Sequence, residues 1–224
     1  MAISEFDFLE DPNPQTAPEP HESVPTIRLP EPRRIGPVSV EEAIRTRRSR
    51  RELKHDPLTL DDIAQLLWAA QGVTHPEGFR AAPSAGATYP LELYLVVADV
   101  RNLSAGLYHY LPREHSLQRL RNGEFLPLIV STTSGQGWIA DARAVIVIGA
   151  VPSRTRSKYG ERGDRYIHFE VGHAAQNICL QCEALGLGTA HVGAFDDEGL
   201  RQLLKLKEDE IVLCLLPVGK PVRP

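Results

Sequence analysis

Ile63, Leu66, Leu67 and Ala70 recur at intervals of three and four, which places them on one face of a helix. Thr59, with Asp62 three residues on, marks its start, and Gly72 is expected to end it in a left-handed conformation. An earlier helix opens at a capping box of Ser39 and Glu42, with Val38 and Ala43 as its hydrophobic staple, and runs to about Arg48. Strands are predicted at Glu92–Ala98 and Gly106–Tyr110, and a more continuously apolar one at Ala144–Val151. A long helix is predicted over Tyr166–Leu185, ending at Gly186. Its apolar residues, among them Ile167, Phe169, Val171, Ala174 and Ile178, spread well round the helix, so it is either central or packed against a second subunit. Gly188–Val192 and Ile211–Val218 are the last expected strands, with a short helix near Glu198–Leu204 between them. No segment repeats, and helices and strands mix without strict β-α-β alternation, so the expected class is α+β.

Composition narrows the function. A chain of 224 residues with 42% apolar and 24% charged side chains can build a sizeable core. Its 25 basic and 29 acidic residues nearly cancel, which argues against a general binder of nucleic acid or anionic membranes. No stretch approaches the ~20 continuous apolar residues of a membrane-spanning helix. The N-terminus is acidic and lacks the basic-then-apolar order of a secretory signal. Three cysteines are too few for a disulfide framework, which points to a reducing, cytoplasmic setting. The first 37 residues hold eight prolines, and six acids precede Arg28. Residues 1–32 are therefore expected to form an extended tail, or an arm laid across a partner with Ile27 and Leu29 as anchors, ahead of a folded domain over 33–224.

Four stretches carry candidate chemistry. Five arginines fall within seven residues, Arg45 to Arg51, and are either a solvated basic patch or a site for a dianionic phosphate. The phosphate reading uses arginine's planar guanidinium fork, with the Ser49 hydroxyl as a further donor. Small residues between Pro83 and Pro90 make either an ordinary turn or a rigid loop that a flat ligand approaches closely. The glycines of Gly186–Phe195 precede a strand and do not join a strand to a helix, so a dinucleotide fingerprint is a weak reading. Lys158 and Tyr159 lie in an expected loop over Arg156–Tyr166, which is either a solvated connection or a place where a lysine beside a tyrosine moves a proton. Cys179 and Cys182 have redox spacing but fall inside the long helix, where core thiols are the better reading. The histidines show no paired metal-ligand spacing, so no metal site is expected.

Together and in this order, these stretches resemble the nitroreductase superfamily, and within it the SagB-type dehydrogenases. The resemblance is carried by Arg47–Arg51, Leu66–Gly72, Pro83–Tyr94, Lys158–Tyr166, Gly172–Asn177, Gly186–Glu198 and Pro217–Pro221. It implies an α+β fold, a central mixed or antiparallel sheet flanked by helices, and an intertwined homodimer with FMN at the subunit interface. By position it assigns Arg47, Arg48, Ser49 and Arg51 to the phosphate and ribityl chain, with Lys220 as a further phosphate ligand and Arg223 as a weaker one. Pro83, Ser84, Ala85 and Gly86 would pack on the flavin from the partner subunit. Val192, Gly193 and Ala194 would follow the isoalloxazine edge, with the Gly193 amide aimed at N5. Two departures stand out: Ala87 occupies a position where many relatives carry asparagine, and Glu52-Leu53-Lys54 lacks the usual aromatic residue. The Lys158-Tyr159 pair is similar to that of azoline oxidases, which dehydrogenate thiazolines and oxazolines on ribosomal peptides, and would be catalytic. The resemblance also leaves open an NAD(P)H-dependent reductase of nitro compounds or quinones, and a flavin-binding partner subunit with little turnover of its own.

Overall fold

Alternation along the middle strands decides the architecture. The computed structural model describes residues 26–223. Its strands are β1 (Thr26–Arg28), β2 (Leu53–Lys54), β3 (Leu91–Val97), β4 (Gly106–Leu111), β5 (Ser116–Asn122), β6 (Ala144–Ala150), β7 (Gly188–Thr189) and β8 (Ile211–Pro221). They form one sheet in the order β1-β5-β4-β3-β6-β8-β2, every neighbour antiparallel, with β7 also paired to β8. Leu91, Leu93, Leu95 and Val97 point to one face, where they meet α2 (Leu60–Gln71) and α5 (Gly163–Leu185). Tyr94 and Val96 point to the other, covered by α3 (Leu126–Ser131) and α6 (Asp197–Leu204). The expected α+β sandwich, with an antiparallel sheet between helices, is what forms.

Local signals set the helix ends. Thr59 accepts the Asp62 amide and Asp62 accepts the Thr59 amide, a complete capping box for α2. At α1 (Val40–Thr46) only half of the expected box forms: Ser39 accepts the Glu42 amide, while the Glu42 carboxylate turns to Arg45. That helix stops two residues short of Arg48. Gly72 is extended, at φ −61° and ψ 146°, and so is not the left-handed cap expected. A side chain there would instead run into the Trp68 ring, so the need for glycine is steric. Gly186 does end α5 left-handed, at φ 69°.

Other expectations are corrected. The supposed loop over Arg156–Tyr166 is mostly helix: α4 (Pro152–Tyr159) starts on a proline at its first turn, and α5 begins at Gly163. The expected strand Gly188–Val192 pairs at Gly188 and Thr189 and again only at Val192. Most of the expected tail lies outside the described residues. Within them, β1 pairs with β5 of the same chain and Leu29 is buried in that chain's core, so Ile27 and Leu29 anchor their own sheet. Finally, α5 is not covered all round by its own chain: Phe169 is 56% exposed, and Gly172, His173 and Gln176 on the same side are exposed too. Among the described residues no helix is long and apolar enough to cross a membrane.

Candidate functional site

The chain leaves α1 at Arg47 and enters β2 at Leu53, so the arginine segment runs beside β7 and leads into the strand that pairs with the end of β8. The Arg50 amide donates to the Thr189 carbonyl at 2.9 Å, and the Val222 amide donates to Glu52 at 2.9 Å. Glu183, near the C-terminus of α5, fastens the segment. Its carboxylate accepts the Arg48 amide at 3.1 Å and the Arg50 guanidinium at 3.0 Å. Arg45 is likewise occupied by Glu42. Among the described residues no carboxylate pairs with the guanidiniums of Arg47, Arg48 or Arg51. Arg48 bonds the carbonyls of Arg45 and Arg47, and Arg51 lies 5.9 Å over the Trp138 ring. Lys220 sits opposite Lys54 across the β2–β8 pair, and the two share a cavity of about 540 Å³ with Arg50 and Glu183. A smaller cavity of about 290 Å³ is lined by Ser49, Arg51 and Arg223. Among the described residues Arg51, Lys54, Lys220 and Arg223 form no ion pair, although Glu42, Asp62 and Glu183 also line the larger cavity and Glu52 the smaller, so the donors that could hold an anion are these four cations with Arg47 and Arg48. The Thr189 hydroxyl beside them is buried with no hydrogen-bond partner.

From this end the chain turns back along β8. Val192 exchanges both backbone bonds with Leu215, each 2.9 Å, three strand positions and so roughly 10 Å from the Thr189–Val218 pair. Gly193 and Ala194 follow in the open, and no atom lies within 4 Å of where a Gly193 Cβ would be.

The second group lies elsewhere. Gly86, Ala87 and Tyr89 have φ of 60°, 54° and 45°, so three of four consecutive residues are left-handed. Ala87 therefore holds a conformation that asparagine adopts more readily. The loop is pinned from several sides. Ser84 Oγ accepts the Tyr89 amide at 2.8 Å, Thr88 meets Thr155 at 2.9 Å, and Arg154 donates to the Tyr89 carbonyl at 3.0 Å. The Arg80 guanidinium stacks 4.5 Å over the Tyr89 ring. Lys158 Nζ donates to the Gly86 carbonyl at 3.3 Å. A Cβ on Gly86 would come within 2.6 Å of both Lys158 Nζ and the Tyr159 hydroxyl, so the loop and the pair form one surface. Pro83 is exposed at its rim. Arg156, two residues before Lys158, is paired bidentately with Asp164.

These two groups are not together in one chain. Loop 83–89 enters β3 where Leu91 pairs with Ala150, the last residue of β6, and α4 starts just beyond. The arginine segment and Lys220 lie beyond Val218, which pairs with Ala144, the first residue of β6. The seven residues of β6 put roughly 20 Å between the two ends. Helix α5 spans the same distance, with Glu170 at the loop end and Glu183 at the arginine end. The sequence motifs missed both of these acids. For Glu170 the signal was an acid on the helix face shared by Ile167, Val171 and Ala174.

The nitroreductase family profile matches residues 44–220. A protein of Methanocaldococcus jannaschii named as a nitroreductase is 45% identical over 196 residues, 88% of this chain and 96% of that one. The solved structure of a Ralstonia eutropha protein, also named as a nitroreductase, superposes with a TM-score of 0.78 at 29% identity, covering 89% of this chain and 90% of that one. A chain of the Escherichia coli microcin synthetase McbBCD complex, solved with truncated pro-MccB17 bound, superposes with a TM-score of 0.69 at 25% identity, covering 75% and 66%. The fold and these matches define an oxidoreductase. The chain belongs to the nitroreductase family.

Proposed function

We propose that the chain is an FMN-dependent dehydrogenase of the SagB type, acting as a homodimer with each flavin shared between two copies. One observation carries this: each chain holds two complementary half-sites roughly 20 Å apart, one suited to a dianion and the other to a flat ring. Two copies related by a twofold axis place the arginine end of one against loop 83–89 of the other. The exposed apolar side chains of Ile35, Val40, Ile44 and Phe169 support that pairing.

Arg47, Arg48, Ser49 and Arg51, with Lys220, hold the phosphate and ribityl chain through charge-assisted bonds that the protein's own acids leave open. Val192, Gly193 and Ala194 line the edge of the ring, and Pro83, Ser84, Ala85 and Gly86 of the partner copy pack on it. FMN supplies the hydride-accepting chemistry. Lys158 and Tyr159, seated against Gly86, take the ring proton of an azoline-type substrate. The likeness to a microcin synthetase chain supports azoline dehydrogenation on a peptide. The 45% identical relative named as a nitroreductase favours a second reading, an NAD(P)H-dependent reductase of nitro compounds or quinones.

Purified protein is expected to be yellow and dimeric, to release a chromophore of the mass of FMN, and to lose it on Arg47→Ala. Protein that takes up no flavin overturns the proposal. Rapid bleaching of the bound flavin by NADPH in a stopped-flow instrument selects the reductase. Absence of bleaching, with oxidation of a thiazoline-bearing peptide, selects the dehydrogenase.

A further inference from the structure

Glu170 is an acid where the helix pattern calls for an apolar residue. It lies among Ile167, Val171 and Ala174 on the buried side of α5, and is 4% exposed. Burial pushes its carboxyl up, against hydrogen bonds from Ala85 and Ser84 that favour the ionised form. Among the described residues no lysine or arginine forms an ion pair with it. A buried carboxyl without an ion pair is destabilising unless its hydrogen bonds compensate.

Those bonds all go to one loop. Oε1 accepts the Ala85 amide at 2.9 Å, and the Ser84 hydroxyl lies against the same carboxyl. Ser84 Oγ in turn accepts the Tyr89 amide at 2.8 Å. The Glu170 carboxylate thus holds the start of the loop at Ala85, and the neighbouring Ser84 ties that start to Tyr89. Between these points lie Gly86, Ala87 and Tyr89, whose left-handed backbones relax if the loop is released. Gly86 is also where Lys158 Nζ and the Tyr159 hydroxyl come to rest.

We infer that Glu170 is the positioning residue of the Lys158–Tyr159 pair: by fixing Ser84 and Ala85 it fixes Gly86, the surface on which both side chains are seated. The inference deepens the proposed function and rests on it for the pair's catalytic meaning. The mechanical link itself needs no flavin. It separates Glu170 from a residue that merely fills the core, because leucine fills the core as well and glutamine keeps the acceptor.

The test compares the full chain with Glu170→Gln, Glu170→Leu and Ser84→Ala, each free of flavin. Amide hydrogen exchange over residues 83–89 is expected to quicken about tenfold or more in the leucine variant, the loss of one charge-assisted bond, and to stay near wild type in the glutamine variant. Ser84→Ala is expected to quicken Tyr89 while sparing Ala85. Lys158 is exposed but held at the Gly86 carbonyl, so acetic anhydride labelling, read by mass spectrometry and scaled to Lys207, is expected to modify it faster in the leucine protein than in the wild-type and glutamine proteins. A leucine variant as protected as wild type, a glutamine variant as loose as leucine, or a Lys158 rate unchanged in all variants overturns the inference. FMN titration of the wild type, followed by flavin fluorescence, judges the functional reading separately: no uptake there, with the exchange pattern intact, sinks the flavin reading and leaves the loop anchor standing.

Discussion

Lys158 and Tyr159 touch the loop at Gly86 and nothing in the arginine segment, so their loss is expected to affect chemistry without affecting retention of the cofactor. Lys158→Ala or Tyr159→Phe is expected to slow substrate oxidation roughly 10²–10⁴-fold, the usual weight of a general acid–base group, while both proteins stay yellow. Steady-state rates and flavin content check this together. Glu170 gives a pH-dependent counterpart. A carboxyl raised above its ordinary 4.5 binds its proton more tightly in the folded chain than in the unfolded one. Its contribution to stability is therefore full below the unfolded value and lost as pH rises through the folded value. Glutamine never ionises. The melting temperature of Glu170→Gln relative to wild type is thus expected to climb as pH rises above the ordinary carboxyl value of 4.5, measured by calorimetry; a flat difference contradicts it. At this scale the sequence named the loop, the arginines and the pair. It did not reveal that Gly86 joins two of them, because residues 86 and 158 meet only through the β3–β6 pairing.

Among the elements, those with strong periodicity were legible and those with polar sequences were not. The spacing of Ile63 to Ala70 and the Thr59 box located α2 to within a residue. Strand β5, Ser-Leu-Gln-Arg-Leu-Arg-Asn, escaped notice because most of its outward side chains are polar. Arg119 and Arg121 lie over the rings of Tyr108 and Phe125, an attachment that hydropathy does not register. Helix α4 was mistaken for a loop because only Pro152 and Thr155 are buried among eight largely polar residues. Its packing against α5 supports it in the absence of an apolar stripe. The arginine segment is irregular, and its order depends on Glu183. Removing that acid raises the local positive charge, so Coulomb's law alone predicts tighter phosphate binding. The geometry predicts the reverse, since the Arg48 amide and the Arg50 guanidinium lose their acceptor. Glu183→Ala is expected to cost about 1.5–3 kcal/mol in urea unfolding and to weaken FMN affinity. Tighter FMN binding would show that charge outweighs order.

For the whole molecule the uncovered side of α5 is the deciding feature. The sequence anticipated a second subunit there from the spread of apolar residues, and the single chain does leave Phe169 and His173 exposed. An aspartate at position 169 would have to shed its water on association, at several kcal/mol per buried ion, or roughly a hundredfold or more in the dimer equilibrium. Phe169→Asp is therefore expected to give a single-chain mass by light scattering and to release FMN on dialysis, with the fold intact by circular dichroism. A dimeric, fully yellow variant would place the subunit contact elsewhere.

The separation of the half-sites along β6 has a genetic consequence. Under the shared arrangement, a lesion in the arginine segment and a lesion at Lys158 lie in different cistronic roles even though one gene encodes both. When Arg47→Ala and Lys158→Ala chains are co-expressed, a mixed dimer draws its arginine end from one parent and its loop end from the other. One of its sites then contains no mutant residue, and the other carries both lesions. Two inactive alleles are thus expected to restore activity to each other, as interallelic complementation. A double mutant on one chain, mixed with wild type, forms dimers in which every site is damaged and acts as a dominant poison.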